Sequence, residues 1–239
     1  MDDKYKIFIG ILFIIVLVVI IYLFRSLKPK EKPMVIKTLS NGSAVILPEP
    51  KKDGETSVEK AIAGRRSIRN YKNEPLTLAE VAQILWAAQG ITDGYGGRSV
   101  PSAGALYPLE VYIAIGNVKE LAAGLYKYTP KDHGIIKISS QDIRKELAEA
   151  ALGQEYIAEG AVDIVIAGVY KRTTQKYGDR GVQYVQMEAG HASQNIYLEC
   201  ESLGLGTVAV GAFIEEKVKK ALNLPEEEFP LYIMPIGRK

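Results

Sequence analysis

The chain has 239 residues, with 30 basic and 28 acidic side chains and a net charge of +2. That balance gives no broad basic surface for a polyanion, so we expect no nucleic-acid partner and favour a small ligand. The single cysteine, Cys200, excludes an internal disulfide, and the two histidines, His133 and His191, lie far apart and predict no metal site.

The beginning of the chain predicts a membrane anchor. Residues 7–24 form an uncharged apolar run of 18 residues between Lys6 and Arg25, long enough to cross a bilayer as a helix. No small-x-small site follows this run, so we favour an uncleaved anchor over a signal peptide. Two basic residues precede the run and four follow it, which favours a single-pass protein of the cell membrane with a cytoplasmic soluble domain.

The composition divides the chain into an anchor over 1–27, a linker over 28–55 and a folded domain over 56–239. The linker is rich in Pro, Lys and Glu, and one short strand is expected over 43–47. Within the domain, a capping box formed by Thr77 and Glu80 starts a helix that ends before Gly90. The other elements that the patterns predict are helices over 57–63, 140–152, 182–203 and 215–222, strands over 109–115, 162–169, 207–210 and 231–236, and a hairpin of 124–128 with 135–138 whose turn holds a solvated His133.

A short basic segment follows the first of these helices. Arg65, Arg66, Ser67 and Arg69 lie within five residues. Arginine presents a planar fork of donors that matches two oxygens of a phosphate, so this segment favours a small phosphorylated ligand. The alternative is an ordinary solvated basic turn.

Three further stretches combine small or polar residues. Ser102, Ala103 and Gly104 leave room for a flat ligand against the backbone, although the stretch is also typical of a loop that enters a strand. Residues 170–184 are dense in charge and, taken alone, indicate a surface loop. A polar row of Glu188, His191 and Asn195 on the following helix either meets water or lines an interface or site.

Five motifs in this order resemble those of the flavin-dependent nitroreductase family, and more closely its branch of thiazole/oxazole-forming (SagB-type) dehydrogenases. The resemblance covers about residues 56–239. It implies an α+β fold with a mixed sheet wrapped by helices, and an intertwined homodimer that binds FMN in a cleft at its interface. The motifs lie at 65–69, 101–108, 176–181, 188–195, and 204–207 together with 211–213.

The resemblance also implies a place for each group of residues around the flavin. One group would hold the phosphate and ribityl chain, with a contribution from the terminal strand. A second would pass close to the ring from the other subunit, and a third would face the opposite side of the ring. These groups are, in the same order, Arg65, Arg66, Ser67 and Arg69 with Gly237 and Arg238; Pro101, Ser102, Ala103 and Gly104; and Val210, Gly211 and Ala212.

Two departures and one match bear on the reaction. Ala105 and Tyr107 stand where ordinary nitroreductases tend to carry Asn and Gln, which favours the azoline-dehydrogenase branch. In that branch a Lys-Tyr pair is associated with proton removal while hydride passes to flavin, and Lys176 and Tyr177 match that pair. The alternative is a structural or surface role for both residues.

The function that the resemblance implies is a membrane-anchored, FMN-dependent oxidoreductase. Hydride would pass through the flavin, either in NAD(P)H-linked reduction or in azoline-type dehydrogenation of a small-molecule or modified-peptide substrate. Two alternatives stay open. One is a flavin-binding module without turnover, and the other is a subunit of a peptide-modifying membrane complex.

Overall fold

The computed structural model describes residues 13–17, 19–20 and 44–239. The chain divides into two compact units, Met1–Val35 and Ile36–Lys239. In the first unit, residues 13–17 and 19–20 are helical and expose their apolar side chains.

The predicted single-pass membrane location is wrong. Within the described ranges, no helix combines the length and the apolar character that a bilayer crossing requires. The prediction rested only on the length and polarity of the run over 7–24. Residues 7–12, 18 and 21–24 of that run, and 28–43 of the predicted linker, lie outside the described residues.

The second unit is built on a seven-stranded sheet in the order β1-β4-β3-β2-β5-β7-β6. All six pairs of neighbouring strands are antiparallel, so the expected mixed sheet is wrong. Among the described residues, parallel pairing is limited to the single bridges Ser67–Thr207 and Leu76–Val118. The strands are β1 Ala44–Ile46, β2 Leu109–Ile115, β3 Gly124–Thr129, β4 Gly134–Ser139, β5 Val162–Gly168, β6 Leu205–Thr207 and β7 Phe229–Arg238.

Helices cover the sheet, which confirms the expected α+β class. β5 is buried along its whole length because β2 and β7 flank it and helices pack on the sheet, as its apolar run, interrupted only by Asp163, predicts. The helices are α1 Val58–Gly64, α2 Leu78–Gln89, α3 Arg144–Ala150, α4 Tyr156–Glu159, α5 Tyr170–Tyr177, α6 Arg180–Ser202 and α7 Glu215–Leu222, with 3-10 turns at Ala103–Ala105 and Pro130–Asp132.

Two local predictions have opposite outcomes. The capping box is confirmed: the Thr77 side chain accepts from Glu80 N, and the Glu80 carboxylate accepts from Thr77 N. The surface loop expected from residue 170 onwards is instead the helix α5, followed by the start of α6. Thr173 is the only buried residue of α5, so its polar side chains face water without excluding a helix.

The strand β1 joins the domain through β4 and through His133. The short strand expected over 43–47 is confirmed, but His133 is not a solvated residue. Its ring is half-buried, and its two nitrogens hydrogen-bond to Tyr128 Oη and Pro48 O, each at 2.9 Å. Burial lowers the pKa of His133.

Candidate functional site

The backbone brings the basic segment against the edge of the sheet. Ile68 N donates to Thr207 O at 2.9 Å, and Lys72 N donates to Arg238 O at 3.0 Å. A Cβ placed on Gly237 would lie 2.7 Å from Cβ of Tyr71, so the segment passes too close for a side chain there. The segment 65–72 and the terminal strand β7, remote in sequence, are therefore neighbours.

The three arginines of the segment have no acidic partners in the described part of the chain. The Arg65 guanidinium carbon lies 5.1 Å from the centre of the Tyr197 ring, and that of Arg69 lies 5.7 Å from the Tyr156 ring. Arg66 donates to Ala63 O at 3.0 Å and to the carbonyl of Arg65 at 2.7 Å. Most of their charge-assisted donor capacity remains available for an anion.

Arg238 is placed differently. Its guanidinium donates to both oxygens of Glu80, at 2.6 and 2.8 Å, and to Pro75 O at 3.2 Å. Burial alone would raise the pKa of Glu80, but hydrogen bonds from Arg238 and Thr77 lower it, so the pair is ionic. Because Glu80 holds the guanidinium in this structure, the contact between Arg238 and a phosphate stays a prediction.

Tyr197 connects the basic segment to the third group of predicted residues, and sequence reasoning missed it. Its hydroxyl lies 2.9 Å from Ser67 Oγ and accepts from Ala209 N at 2.8 Å. Val210 exchanges both of its backbone hydrogen bonds with Ile233, at 2.9 and 3.0 Å. The two residues after Val210, Gly211 and Ala212, are exposed. Of this group, therefore, those two can present backbone to a ligand most readily.

The second group lies beside Lys176 and Tyr177 within one chain. A Cβ placed on Gly104 would lie 2.8 Å from Tyr177 Oη and 2.9 Å from Lys176 Nζ. The Tyr177 ring also packs edge-on against Tyr184, with ring centres 5.2 Å apart. The amine of Lys176 and the hydroxyl of Tyr177 both lie beside the exposed Gly104. Such groups can bind a flat ligand next to this glycine and transfer a proton to or from it.

Glu188 of the polar row contacts this second group and Asn195 contacts the chain just before it, whereas His191 is exposed. Ser102 Oγ donates to Glu188 Oε2 at 2.7 Å. Asn195 Nδ2 donates to Ser99 O and Ala87 O, each at 3.1 Å. Burial raises the pKa of Glu188 to about 7, although the Ser102 hydrogen bond and Arg98 act to lower it. Glu188 and Asn195 therefore contact the protein, whereas His191 faces water.

Arg172 fixes helix α5 to residues 107–110, a role that sequence reasoning missed. Its guanidinium donates to Tyr107 O at 3.0 Å and pairs with Glu110 at 2.5 Å. Arg172 precedes Lys176 by one helical turn, so the two side chains share a face of α5. Arg98, 4.5 Å from the centre of the Tyr107 ring, covers the turn from another side.

Helix α6 carries contacts to both parts of the candidate site. Glu188 contacts Ser102, and Tyr197 contacts Ser67. These two helix residues are nine positions apart, or about 13 Å along the helix axis. Helix α6 therefore links the basic segment and the turn that contains Gly104 within one chain.

Comparison with known proteins identifies the family. The nitroreductase family model matches residues 62–238. A protein of Methanocaldococcus jannaschii assigned as a nitroreductase is 49% identical over 185 residues, covering 77% of this chain and 92% of its own length. A crystal structure of a Ralstonia eutropha protein assigned likewise has a TM-score of 0.73 at 27% identity, covering 87% of this chain and 95% of the other.

One relative is named for a different role: it is the microcin B17-processing protein McbC of Escherichia coli. It is 27% identical over 151 residues, which is 59% of this chain and 54% of McbC. Further relatives are NAD(P)H-linked flavin reductases and nitroreductases.

Proposed function

The chain belongs to the nitroreductase family of oxidoreductases, and from that premise we propose that it is an FMN-dependent oxidoreductase that takes electrons from NAD(P)H. The observation that carries this proposal is the basic segment, where three guanidiniums that have no acidic partner among residues 44–239 lie beside Ser67. A phosphate dianion needs such fixed positive charge.

The residues present fit FMN in two further respects. Gly104 is exposed and has no side chain of its own, so a flat ring can approach its backbone closely. Exposed backbone at Gly211 and Ala212 provides a second close approach. We propose that the protein acts as a homodimer, as nitroreductase-fold relatives commonly do, and that the turn over each ring belongs to the partner subunit.

In the reaction, bound flavin would supply a two-electron acceptor for hydride. Arg65, Arg66 and Arg69 would hold its phosphate, and Ser67 would hold the adjoining chain. Lys176 Nζ and Tyr177 Oη would bind the substrate atom that loses or gains a proton as the hydride moves. Proton transfer by a positioned side chain contributes typically 10²–10⁴-fold to a rate.

We test the binding step by supplying FMN to the purified protein and recording its visible spectrum. Replacement of both Arg65 and Arg69 by Met should weaken FMN binding about a hundredfold, because each charge-assisted hydrogen bond contributes about 1.5–3 kcal/mol. The matched control is Lys217→Met, an exposed cation on α7, which should leave the affinity unchanged. If the unsubstituted protein binds no FMN, the proposal is wrong.

The placement of Lys176 and Tyr177 beside Gly104 favours a second candidate, dehydrogenation of an azoline ring in a modified peptide. The relative named for microcin B17 processing supports a peptide substrate. Hydride would leave a ring carbon for the flavin while the proton from the neighbouring atom passes to Lys176 or Tyr177. Reduction of the bound flavin by an azoline peptide without NAD(P)H, lost in Lys176→Met, would support it. Bound FMN that neither NAD(P)H nor an azoline reduces would indicate a module without turnover.

A further inference from the structure

The turn over residues 102–107 has an unusual backbone. Gly104, Ala105 and Tyr107 have φ angles of 64°, 55° and 46°, all in the left-handed region. Glycine adopts this region freely, but alanine and the bulky tyrosine do so at a steric cost. Such residues persist only where the surrounding contacts fix them. The contacts of this turn therefore decide whether Gly104 stays beside Lys176 and Tyr177.

Ser102 holds the turn from within. Its carbonyl accepts from Ala105 N at 3.1 Å, and its hydroxyl oxygen accepts from Tyr107 N at 2.9 Å. A serine hydroxyl has one proton to donate, and here Glu188 Oε2 receives it at 2.7 Å. Glu188 thus orients the hydroxyl so that a lone pair meets the Tyr107 amide.

Glu188 lies in a buried position, where a carboxyl group lowers the free energy of unfolding. Its side chain belongs to the long helix α6, and the residue is only 3% exposed. Within the described residues, its second oxygen, Oε1, has no hydrogen-bond partner. A buried carboxyl with a single described hydrogen bond lowers the stability of the fold, so its presence here calls for an explanation. The bond leads to the turn.

We propose that Glu188 is a positioning residue of the active site: through Ser102 it holds the turn 102–107, and with it Gly104, against Lys176 and Tyr177. That this is an active site rests on the proposed function. The chain of hydrogen bonds from Glu188 to Tyr107 needs no bound flavin and can be tested without one.

The charge of Glu188 controls the strength of this chain. Burial brings its pKa to about 7, with Ser102 and Arg98 favouring the ionised form. Among the charged side chains described above, those on elements that pack against α6 are Arg172 and Lys176 of α5, Glu80 of α2, Glu110 of β2 and Arg238 of β7. An ionised carboxylate accepts a stronger hydrogen bond than a neutral acid, so the turn should tighten as pH rises through about 7.

The experiment measures hydrogen exchange of the Tyr107 amide in flavin-free protein by NMR, as protection factors between pH 6 and pH 8. In the unsubstituted protein, protection should rise about fivefold over this range, the difference between a neutral and a charge-assisted bond. Glu188→Gln keeps the shape and an acceptor but cannot ionise, so its protection should be flat. The matched control is Glu199→Gln, a second half-buried acid on α6 whose pKa burial also raises; it should keep the rise.

Ser102→Ala breaks the same chain from the side of the turn and serves if Glu188→Gln does not fold. It should abolish the rise, and adding Glu188→Gln should change nothing more. A rise that persists in Glu188→Gln or in Ser102→Ala overturns the inference, even if FMN binds. If the predicted exchange pattern is found but the protein binds no FMN, the proposed function fails while the role of Glu188 in holding the turn stands.

Discussion

The basic segment 65–72 and the turn 102–107 form the two ends of the candidate site, and they are built on opposite principles. In the basic segment, Arg66, Ser67 and Arg69 are exposed, and none of its arginines has an acidic partner among the described residues. In the turn, strained backbone is fixed by a buried acid, a helix arginine and a stacked guanidinium. Charge acts over several ångströms and tolerates movement, whereas proton transfer needs defined contacts. Under the proposed function, one end would provide affinity and the other would provide rate.

The largest effect on turnover is expected for Gly104→Ala. The new Cβ would lie within 3 Å of Tyr177 Oη and Lys176 Nζ, and both are the far ends of side chains that can move away. We expect turnover to fall about a hundredfold, since a shift of about 1 Å has that effect, while the free energy of unfolding falls by only about 1–2 kcal/mol.

The control for this substitution is Gly153→Ala. Gly153 also has a positive φ, 78°, but nothing lies within 4 Å of its Cβ position. It should show a similar loss of stability and full turnover, measured by thermal unfolding and steady-state kinetics. Equal turnover in the two variants would mean that the contact with Lys176 and Tyr177 has no role in the reaction.

A smaller effect is expected for Arg172→Lys, which keeps the charge but loses the fork that reaches Tyr107 O and Glu110 together. Glu110 also pairs with Lys127 at 3.1 Å, so it remains neutralised. We expect kcat to fall about tenfold with FMN affinity unchanged, because the substitution loosens α5 but not the basic segment. Lys171→Met, the exposed neighbour, is the control, and a change in FMN affinity would contradict the division between the two ends.

The smallest effect on activity is expected for Asp163→Asn, which tests whether any buried acid matters to the site. Asp163 is fully buried in β5, its oxygens have no described partner, and burial raises its pKa well above the usual range. The folded protein therefore holds a proton that the unfolded chain releases near pH 4, so this group makes the protein less stable as pH rises above that value.

Asp163→Asn should raise the free energy of unfolding by about 1–3 kcal/mol at pH 8, have less effect at pH 5, and leave kcat unchanged. Asp142→Asn gives the opposite sign. The Arg144 hydrogen bond lowers the pKa of Asp142, so its contribution is present above the unfolded pKa and lost on acidification. Denaturant unfolding at the two pH values checks both, and a loss of kcat in Asp163→Asn would weaken the special role assigned to Glu188.

The features that the sequence predicted well are local ones. The capping box needs only two residues three positions apart, and the central strand β5 is a short run that is apolar apart from Asp163. The family motifs are likewise short segments in a fixed order. Each of these depends on neighbouring residues, which periodicity and spacing report directly.

The features that the sequence did not predict depend on distant partners. The pair of Arg238 with Glu80 joins residues 158 positions apart, and Tyr197 meets Ser67 across 130 positions. The pairing direction of the sheet is also set by the topology and not by composition. Helix α5 was missed because its face against the domain buries one residue, Thr173, so no apolar stripe reveals it.

The place of β7 between β5 and β6 has a consequence for how the protein forms in the cell. β6 pairs only with β7 among the named strands, and the basic segment is hydrogen-bonded to both. Until residues 229–238 have left the ribosome, the nascent polypeptide cannot complete the β6 edge of the sheet. The basic segment, although it is made early, therefore cannot reach its final backbone contacts before these much later residues have been synthesised.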